Sequence, residues 1–379
     1  MEVGWDEVLA RRLLRSSLSE RAAGGRLVEV VGALCGVHAQ VQVSAELQLA
    51  TRMDGIVQED VRTALWERRE LVKAWTVRGT LHLHPAAELP LWYAARRAVT
   101  RTAEGLPPWR DPAGVLHPAV GADEVEAVRA AVWDALDGRC LLREELADDV
   151  VGRVGGAAGD RLRSGFAFFI GELCQGPPRG PKITLARPDQ WIESWRAVGD
   201  EEEALREVCR RFLRTYGPAR PGDFCEWFSA AGFSVADARQ LFESLGAELE
   251  EVDVDGRPSF VLAGDLSFPR PSSQVRLLPG YDVYVMGSRE RDRLVPQPVR
   301  DLVAQHGRGR YEGPAGVRLV LVDGVAAGLW QRRKRGKRVE LDVRPARRLT
   351  RSRRVELEHE AERIGSFLGL EPVLTVEPS

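Results

Sequence analysis

Three helices followed by two strands around a tight turn recur three times along the first 266 residues, and no other feature narrows the possible folds as much. The first copy opens on "GRLVEVVGALCGVHAQ" and continues in "QEDVRTALWERREL", where Val61, Leu65 and Leu71 form an apolar stripe. It closes on "LVKAWTVRGTLHLHP", two strand-like runs broken near Val77 and Gly79. The second copy reads "ADEVEAVRAAVWDALDG", "LLREELADDVV" and "DRLRSGFAFFIGELCQ" as helices, with Pro/Gly punctuation and a strand in "GPPRGPKITLARPDQWI". The third runs through "EEALREVCRRFLRTYG", "RPGDFCEWFSAAG" and "SVADARQLFESLG". Here Ser234 is an N-cap, with Asp237 standing where a capping box usually has Glu. Its hairpin, "ELEEVDVDGRPSFVLAGD", turns at Asp255-Gly256.

Three helices and a hairpin are the plan of a winged helix-turn-helix. The expected fold is α+β: three tandem winged helix-turn-helix domains over residues 1–118, 119–198 and 199–266. The alternative is a generic α+β protein without a nucleic-acid role. After Asp265 the chain becomes strand-rich, with "QVRLLPGYDVYVMG" and "GVRLVLVDGVAAGLWQRRKRGKRVELDVRP", and a turn at Asp323-Gly324. A helix over "RSRRVELEHEAERIGSFLG" ends at Gly369. Residues 267–379 therefore read as a β-barrel subdomain with a terminal helix.

Composition excludes several classes. No apolar run reaches the 18 or so residues of a membrane span. The start, "MEVGWDEVLARRLLRSS", lacks the basic opening and apolar core of a secretory signal, so a cytoplasmic protein without a membrane role is expected. The five cysteines are scattered and form no CxxC pair, which argues against zinc and against a disulfide framework. The net charge of −2 hides an asymmetry, with acids at residues 123–126 and 200–203 and bases toward the end. Only four of the 54 bases are lysine, so arginine richness alone can reflect a GC-rich genome; clustering is the better signal.

The sharpest cluster is "QRRKRGKR", holding Arg332, Arg333, Lys334, Arg335, Lys337 and Arg338 between two strand-like runs, with Gly336 near the turn. A hairpin tip this basic either meets phosphates or is a solvated edge whose charges prevent sheet aggregation. The stretch "RPARRLTRSRR" adds six arginines and no acid, as a second phosphate contact or as an exposed helix entry. His82 and His84 alternate along a strand and so share a face with Arg78 and Thr80. With no third ligand nearby, the histidines suit hydrogen bonding better than a metal. Catalytic signatures such as GxSxG, a P-loop, HExxH or a dinucleotide loop are missing, and neither a metal nor a cofactor is expected.

One feature stays unexplained by charge: Gln40 and Gln42 in "HAQVQVSAELQLATR". In an extended segment both amides project to one side, with Val41 buried opposite. Two amides at fixed spacing can hold a water, although such pairs at a helix end are commonly surface or capping residues.

Taken together, "HAQVQ" after an apolar helix, "AWTVRGTLHL" in the first hairpin, two further helix-hairpin units, "LLPGYDVY", and the basic hairpin after "GLW" resemble the winged-helix DNA glycosylases of the AlkZ and YcaQ type. The resemblance covers nearly the whole chain. A sister group carries Asp at the last position of the Gln-apolar-Gln triplet; with Gln42 this sequence resembles the AlkZ-like branch, associated with self-resistance to DNA-alkylating natural products. The resemblance implies a C-shaped clamp around double-stranded DNA with alkylated purines, acting as a monomer. It implies excision of bulky N7-alkylguanine adducts and, in some members, unhooking of interstrand crosslinks. Gln40 and Gln42 would be catalytic, and the hairpin bases together with Arg78, Thr80 and His82 would contact DNA. A DNA-binding transcription regulator without catalysis is the competing function.

Overall fold

The alternation in "LVKAWTVRGTLHLHP" pairs as expected: Leu71–Trp75 and Leu81–Pro85 run antiparallel, with Lys73 opposite Leu83 and Ala74 opposite His82. The computed structural model describes residues 1–99, 105–110, 114–154, 159, 161, 172–229, 232–305 and 316–378. Ahead of this hairpin stand the helices Leu27–Ala33, Gln42–Arg52 and Gln58–Trp66. The last of these is shorter than its apolar stripe suggests. Arg69 turns the chain at φ +52°, and Leu71 opens the strand instead of continuing the helix.

The second unit supplies the helices Ala122–Ala135 and Arg143–Val154 and the strands Cys174–Arg179 and Lys182–Ala186. The third helix expected there, "DRLRSGFAFFIGELCQ", lies mostly outside the described residues, and its last two, Cys174 and Gln175, begin the strand instead. The pair Pro177-Pro178 falls within a strand that has neighbours on both sides. Proline cannot donate to a ladder, and the register shifts between Gly176 and Arg179. The third unit matches its sequence signals closely, with helices Glu201–Tyr216, Pro221–Phe228 and Val235–Leu245 and strands Leu249–Val254 and Pro258–Leu262. Ser234 Oγ accepts from the Asp237 amide at 3.2 Å while Asp237 accepts from the Ser234 amide at 2.7 Å. Asp255 and Gly256 both take positive φ, as a two-residue hairpin turn requires.

Three features are not local and escape the sequence pattern. First, the hairpins of the first two units join in one six-stranded sheet, ordered Leu141–Leu142, Lys182–Ala186, Cys174–Arg179, Leu71–Trp75, Leu81–Pro85, Val37–His38. Second, Glu2–Val3 adds a parallel strand beside Leu249–Val254. Arg11, in the helix Trp5–Arg15, binds Asp265 through Nη2 and Nη1 at 2.6 and 3.2 Å, so the N-terminus packs on the third unit rather than the first. Third, the expected β-barrel is an open five-stranded sheet: Val275–Leu278, Leu319–Val322, Val325–Arg335, Arg338–Pro345, Glu371–Val376, with no pairing between the first and last strands among the described residues. The final pair is parallel because the helix Arg351–Leu368 crosses over between its strands, and the apolar side of that helix fills the open face.

One core links the beginning of the chain to its end. Leu47, Leu49, Val61 and Leu65 from the first helices pack in the same cluster as Val275, Leu277, Trp330, Val339, Leu341 and Leu357. Polar ties lie within this packing. Arg52 and Asp282, both fully buried, form a two-pronged ion pair at 2.8 and 2.6 Å. Asp282 also accepts from the Tyr284 amide at 2.9 Å, capping the turn that "GYDVY" makes. Gln48 bridges the His38 carbonyl and the Val283 amide at 3.0 and 3.1 Å.

Gly36 sets the entry to this region. It sits at φ +92°, and a Cβ there would fall 2.4 Å from His84 Cε1. Gly36→Ala is expected to destabilise the protein by about 1–3 kcal/mol from backbone conformation alone, before the clash with His84 is counted, read as a shift of the urea midpoint.

Candidate active site on the first helical unit

The strand Val37–His38 ends against the first hairpin, with His38 opposite His82. The Ala39 amide donates to the Leu81 carbonyl at 2.7 Å. The chain then bends, and Gln40 lies exposed with its Oε1 accepting from the Leu81 amide at 3.4 Å. Val41 is the N-cap of the next helix and Gln42 its first residue. The motif is therefore not an extended run with a buried valine: Val41 is 45% exposed. The helix-forming sequence that follows takes up the chain from Gln42 onward, so the two glutamines sit on a bend and on a helix start.

Gln42 is held at both ends of its amide. Lys73 Nζ donates to its Oε1 at 3.0 Å, and its Nε2 donates to Glu46 Oε1 at 3.3 Å. Glu46 lies one helical turn further on, fully buried, and also accepts from Gln58 Nε2 at 2.6 Å and Arg62 Nε at 3.1 Å. Lys73 is only 5% exposed, and burial pulls its ammonium down to about 8, with the Glu46 carboxylate opposing that shift. Neither Lys73 nor Glu46 stands out in sequence. The available signals are weak: a lysine in the middle of an apolar strand of a chain with four lysines, and a carboxylate at i+4 from a motif glutamine.

Beside the motif, on the Val41 side, is a cavity of about 240 Å³ lined by Val41, Ser44, Leu47, Tyr281, Leu329 and Trp330 among others. Ser44 Oγ donates to the Gly280 carbonyl, and Trp330 Nε1 donates to the Leu278 carbonyl at 2.8 Å, so the cavity walls belong to the shared core.

His82 and His84 do share a face, as alternation requires, but that face is inward. His82 is 2% exposed, with its ring edge-on to His38 at 5.3 Å and Nδ1 3.0 Å from the Thr80 carbonyl. His84 Nε2 lies 2.8 Å from Thr76 Oγ1. Burial lowers all three imidazoles, His38 to about 4 and His84 to about 3, so they are neutral near pH 7. Arg78 is half-buried, with Nη1 3.4 Å from the carbonyls of Trp227 and Met286, and Thr80 is half-buried as well. The polar outer surface expected of Arg78, Thr80 and His82 is thus largely turned into the protein. Among the described residues, no group of three His, Cys, Asp or Glu comes together that could hold a metal.

The basic hairpin forms where the sequence places it. Val325–Arg335 and Arg338–Pro345 pair antiparallel, with Arg335 opposite Arg338 and Gly336 at φ +59° in the turn. Arg335 meets Glu340 at 3.1 Å and Arg338 meets Glu371 at 3.0 Å. Arg333, Lys334 and Lys337 are exposed and have no ion-pair partner among the described residues. Arg332, at the base of the hairpin, is half-buried. Burial lowers its guanidinium, while the Glu46 carboxylate works against that shift, which ties the hairpin base to the Gln42 surroundings. Of the six arginines in "RPARRLTRSRR", Arg344 faces Glu377 at 3.6 Å, and Arg353 pairs with Asp323 and Glu356 at the helix start capped by Thr350.

Comparison with known proteins gives this arrangement its chemical class, a DNA glycosylase. Residues 31–367 match the family described as "AlkZ-like: DNA glycosylase AlkZ-like". The chain belongs to that family and is an enzyme that hydrolyses N-glycosidic bonds. It is 34% identical over 343 residues to the "Interstrand DNA cross-link repair glycosylase" of Streptomyces sahachiroi, covering 87% of this chain and 88% of that protein. It is also similar to the solved structure "Streptomyces sahachiroi DNA glycosylase AlkZ", with a TM-score of 0.80, 30% identity and full coverage of both chains. The expectation of a DNA glycosylase is met, and the non-catalytic regulator gives way to it.

Proposed function

We propose that this enzyme excises bulky N7-alkylguanine adducts from double-stranded DNA, unhooks interstrand crosslinks of that chemistry, and so protects its producer from a genotoxic alkylating product. The observation that carries the reading is the pair of neutral amides, Gln40 and Gln42, set on a core shared with an exposed basic hairpin. N7 alkylation places a positive charge on guanine, which makes the base a good leaving group. The C1′–N9 bond then breaks with oxocarbenium character at the sugar. What the enzyme must add is a positioned water rather than a strong base. Gln42, fixed by its neighbours, and Gln40, whose Nε2 makes no hydrogen bond among the described residues, are suited to hold that water against C1′. The crosslink part of the proposal also draws on the name of the Streptomyces sahachiroi relative.

In this reading the three helix-hairpin units are winged helices that clamp the duplex, with residues 267–379 closing the arc. The clamp is a single chain and works as a monomer in the cytoplasm. No helix among the described residues is long and apolar enough to cross a membrane. A bulky or crosslinked adduct resists extrusion from the stack, and an open site that does not need deep base flipping fits such a lesion.

Incubation with DNA carrying defined N7-guanine adducts, from methyl to bulky, tests the reading. Release of the free adducted base and an alkali-labile abasic site is expected. Intact DNA with every adduct overturns the proposal. For the hairpin, reversing the charges of Arg333, Lys334 and Lys337 is expected to weaken binding irrespective of sequence. The slope of log K against log salt should become shallower by about 0.9 for each phosphate that the variant no longer neutralises. An unchanged slope removes the hairpin from the DNA interface.

A further inference from the structure

We propose that Lys73 and Glu46 are positioning residues that fix the side-chain amide of Gln42 in a single orientation toward the water that attacks the sugar. The inference rests on the reading of Gln42 as catalytic and extends it to two residues that do not touch the substrate.

An amide side chain can be turned in two ways about its last torsion. With Oε1 toward Lys73 and Nε2 toward Glu46, an ammonium donates to a carbonyl and an NH₂ donates to a carboxylate, at 3.0 and 3.3 Å. Turned by 180°, the amide would set NH₂ against the ammonium and its oxygen against the carboxylate, both repulsive contacts with charges that are themselves buried. The charges themselves are held from other elements. Lys73 projects from the strand Leu71–Trp75, and Glu46 is fixed by Gln58 and Arg62 of the helix Gln58–Trp66. The neutral amide is thus gripped by a strand and by its own helix, with a second helix holding Glu46 from behind, and the two groups that bond it carry opposite charges in buried positions.

This arrangement leaves Gln42 one N–H and one carbonyl lone pair with defined directions. A freely rotating amide offers the same atoms in two orientations, only one of which suits a given water. Geometry of this kind matters strongly to rate, because an error of about 1 Å in placement can cost on the order of 100-fold. Gln40 has no equivalent support among the described residues, where its side chain makes one hydrogen bond, to a backbone amide at 3.4 Å.

The test measures single-turnover base release from N7-methylguanine DNA, and DNA affinity, for Lys73→Met, Lys73→Arg and Glu46→Gln, each alone and combined with Gln42→Ala. Lys73→Met is expected to slow release about 10- to 100-fold with DNA affinity changed by no more than about twofold. Lys73→Arg, which keeps a charged donor, should recover part of that loss. Glu46→Gln keeps an acceptor and should be milder, and it carries the test if Lys73→Met does not fold. The decisive arm is the double variant. In the Gln42→Ala background neither change should slow release further, because a residue acting through Gln42 has nothing left to position. Equal additional slowing in that background, or full activity of both Lys73→Met and Glu46→Gln, overturns the proposal. Full activity of Gln42→Ala itself fails the underlying reading of the site instead.

Discussion

Gln42→Ala is expected to lower the rate of base release about 100-fold or more while DNA affinity stays within about twofold, measured by single-turnover kinetics and by titration of uncleavable adducted DNA. The size of the effect follows from what the amide is placed to do. A cationic purine needs little push to leave, so the catalytic gain from the protein lies in placing water and in matching charge at the sugar. Gln42 is pinned between Lys73 and Glu46, and shortening it to alanine removes the one group in the motif whose direction is fixed. Gln40→Ala should cost less, because Gln40 is exposed and its side chain is bound, among the described residues, only to the Leu81 amide. Should both variants release base at the wild-type rate, the amides have no part in the chemistry.

The second large effect concerns stability. Asp282→Asn is expected to cost about 3–5 kcal/mol, because it leaves the guanidinium of Arg52 buried without its counter-charge. Arg52→Met should cost a similar amount by stranding the carboxylate. The double replacement should cost clearly less than the sum, since each single change carries the penalty of the other partner's burial. Urea midpoints of the three variants decide the matter; additive losses would show that the pair does not act as a unit.

Much of the architecture could be read from the sequence because its signals are local. Asp255-Gly256 and Asp323-Gly324 demand positive φ and obtain it, and Gly369 ends the last helix at φ +63°. The Ser234–Asp237 cap forms as its spacing suggests. The basic hairpin also follows from neighbours in the chain. What escaped depends on partners far apart in sequence. Alternation placed His82 and His84 on one face but not which face, and the buried ring of Trp92, 4.5 Å from that of His84, lies against that side. Val41 was expected to be buried on the assumption of an extended backbone, whereas the helix begins one residue later. Lys73 joins the site only because a strand 31 residues from Gln42 packs across its helix start. Four of the five strands of the C-terminal sheet were legible; the fifth, Glu371–Val376, lies beyond the helix expected as the last element, and the failure to close was not legible, since closure is set by the curvature of the whole sheet and by the helix filling its open side.

The shared core has a consequence for how the protein is made. Leu47 and Leu49, on the helix that begins with Gln42, are buried against residues as late in the chain as Leu357 and Phe367. On a ribosome that helix emerges about 300 residues before its last packing partner, which at typical synthesis rates is a wait of roughly 15–60 s. Nascent chains halted before residue 275 should therefore leave the Gln42 helix open to proteolysis even where the third hairpin is already protected. The first hundred residues are in this sense not a portable module: transplanted without the last hundred, they would carry the two glutamines but not the surface on which those glutamines are held.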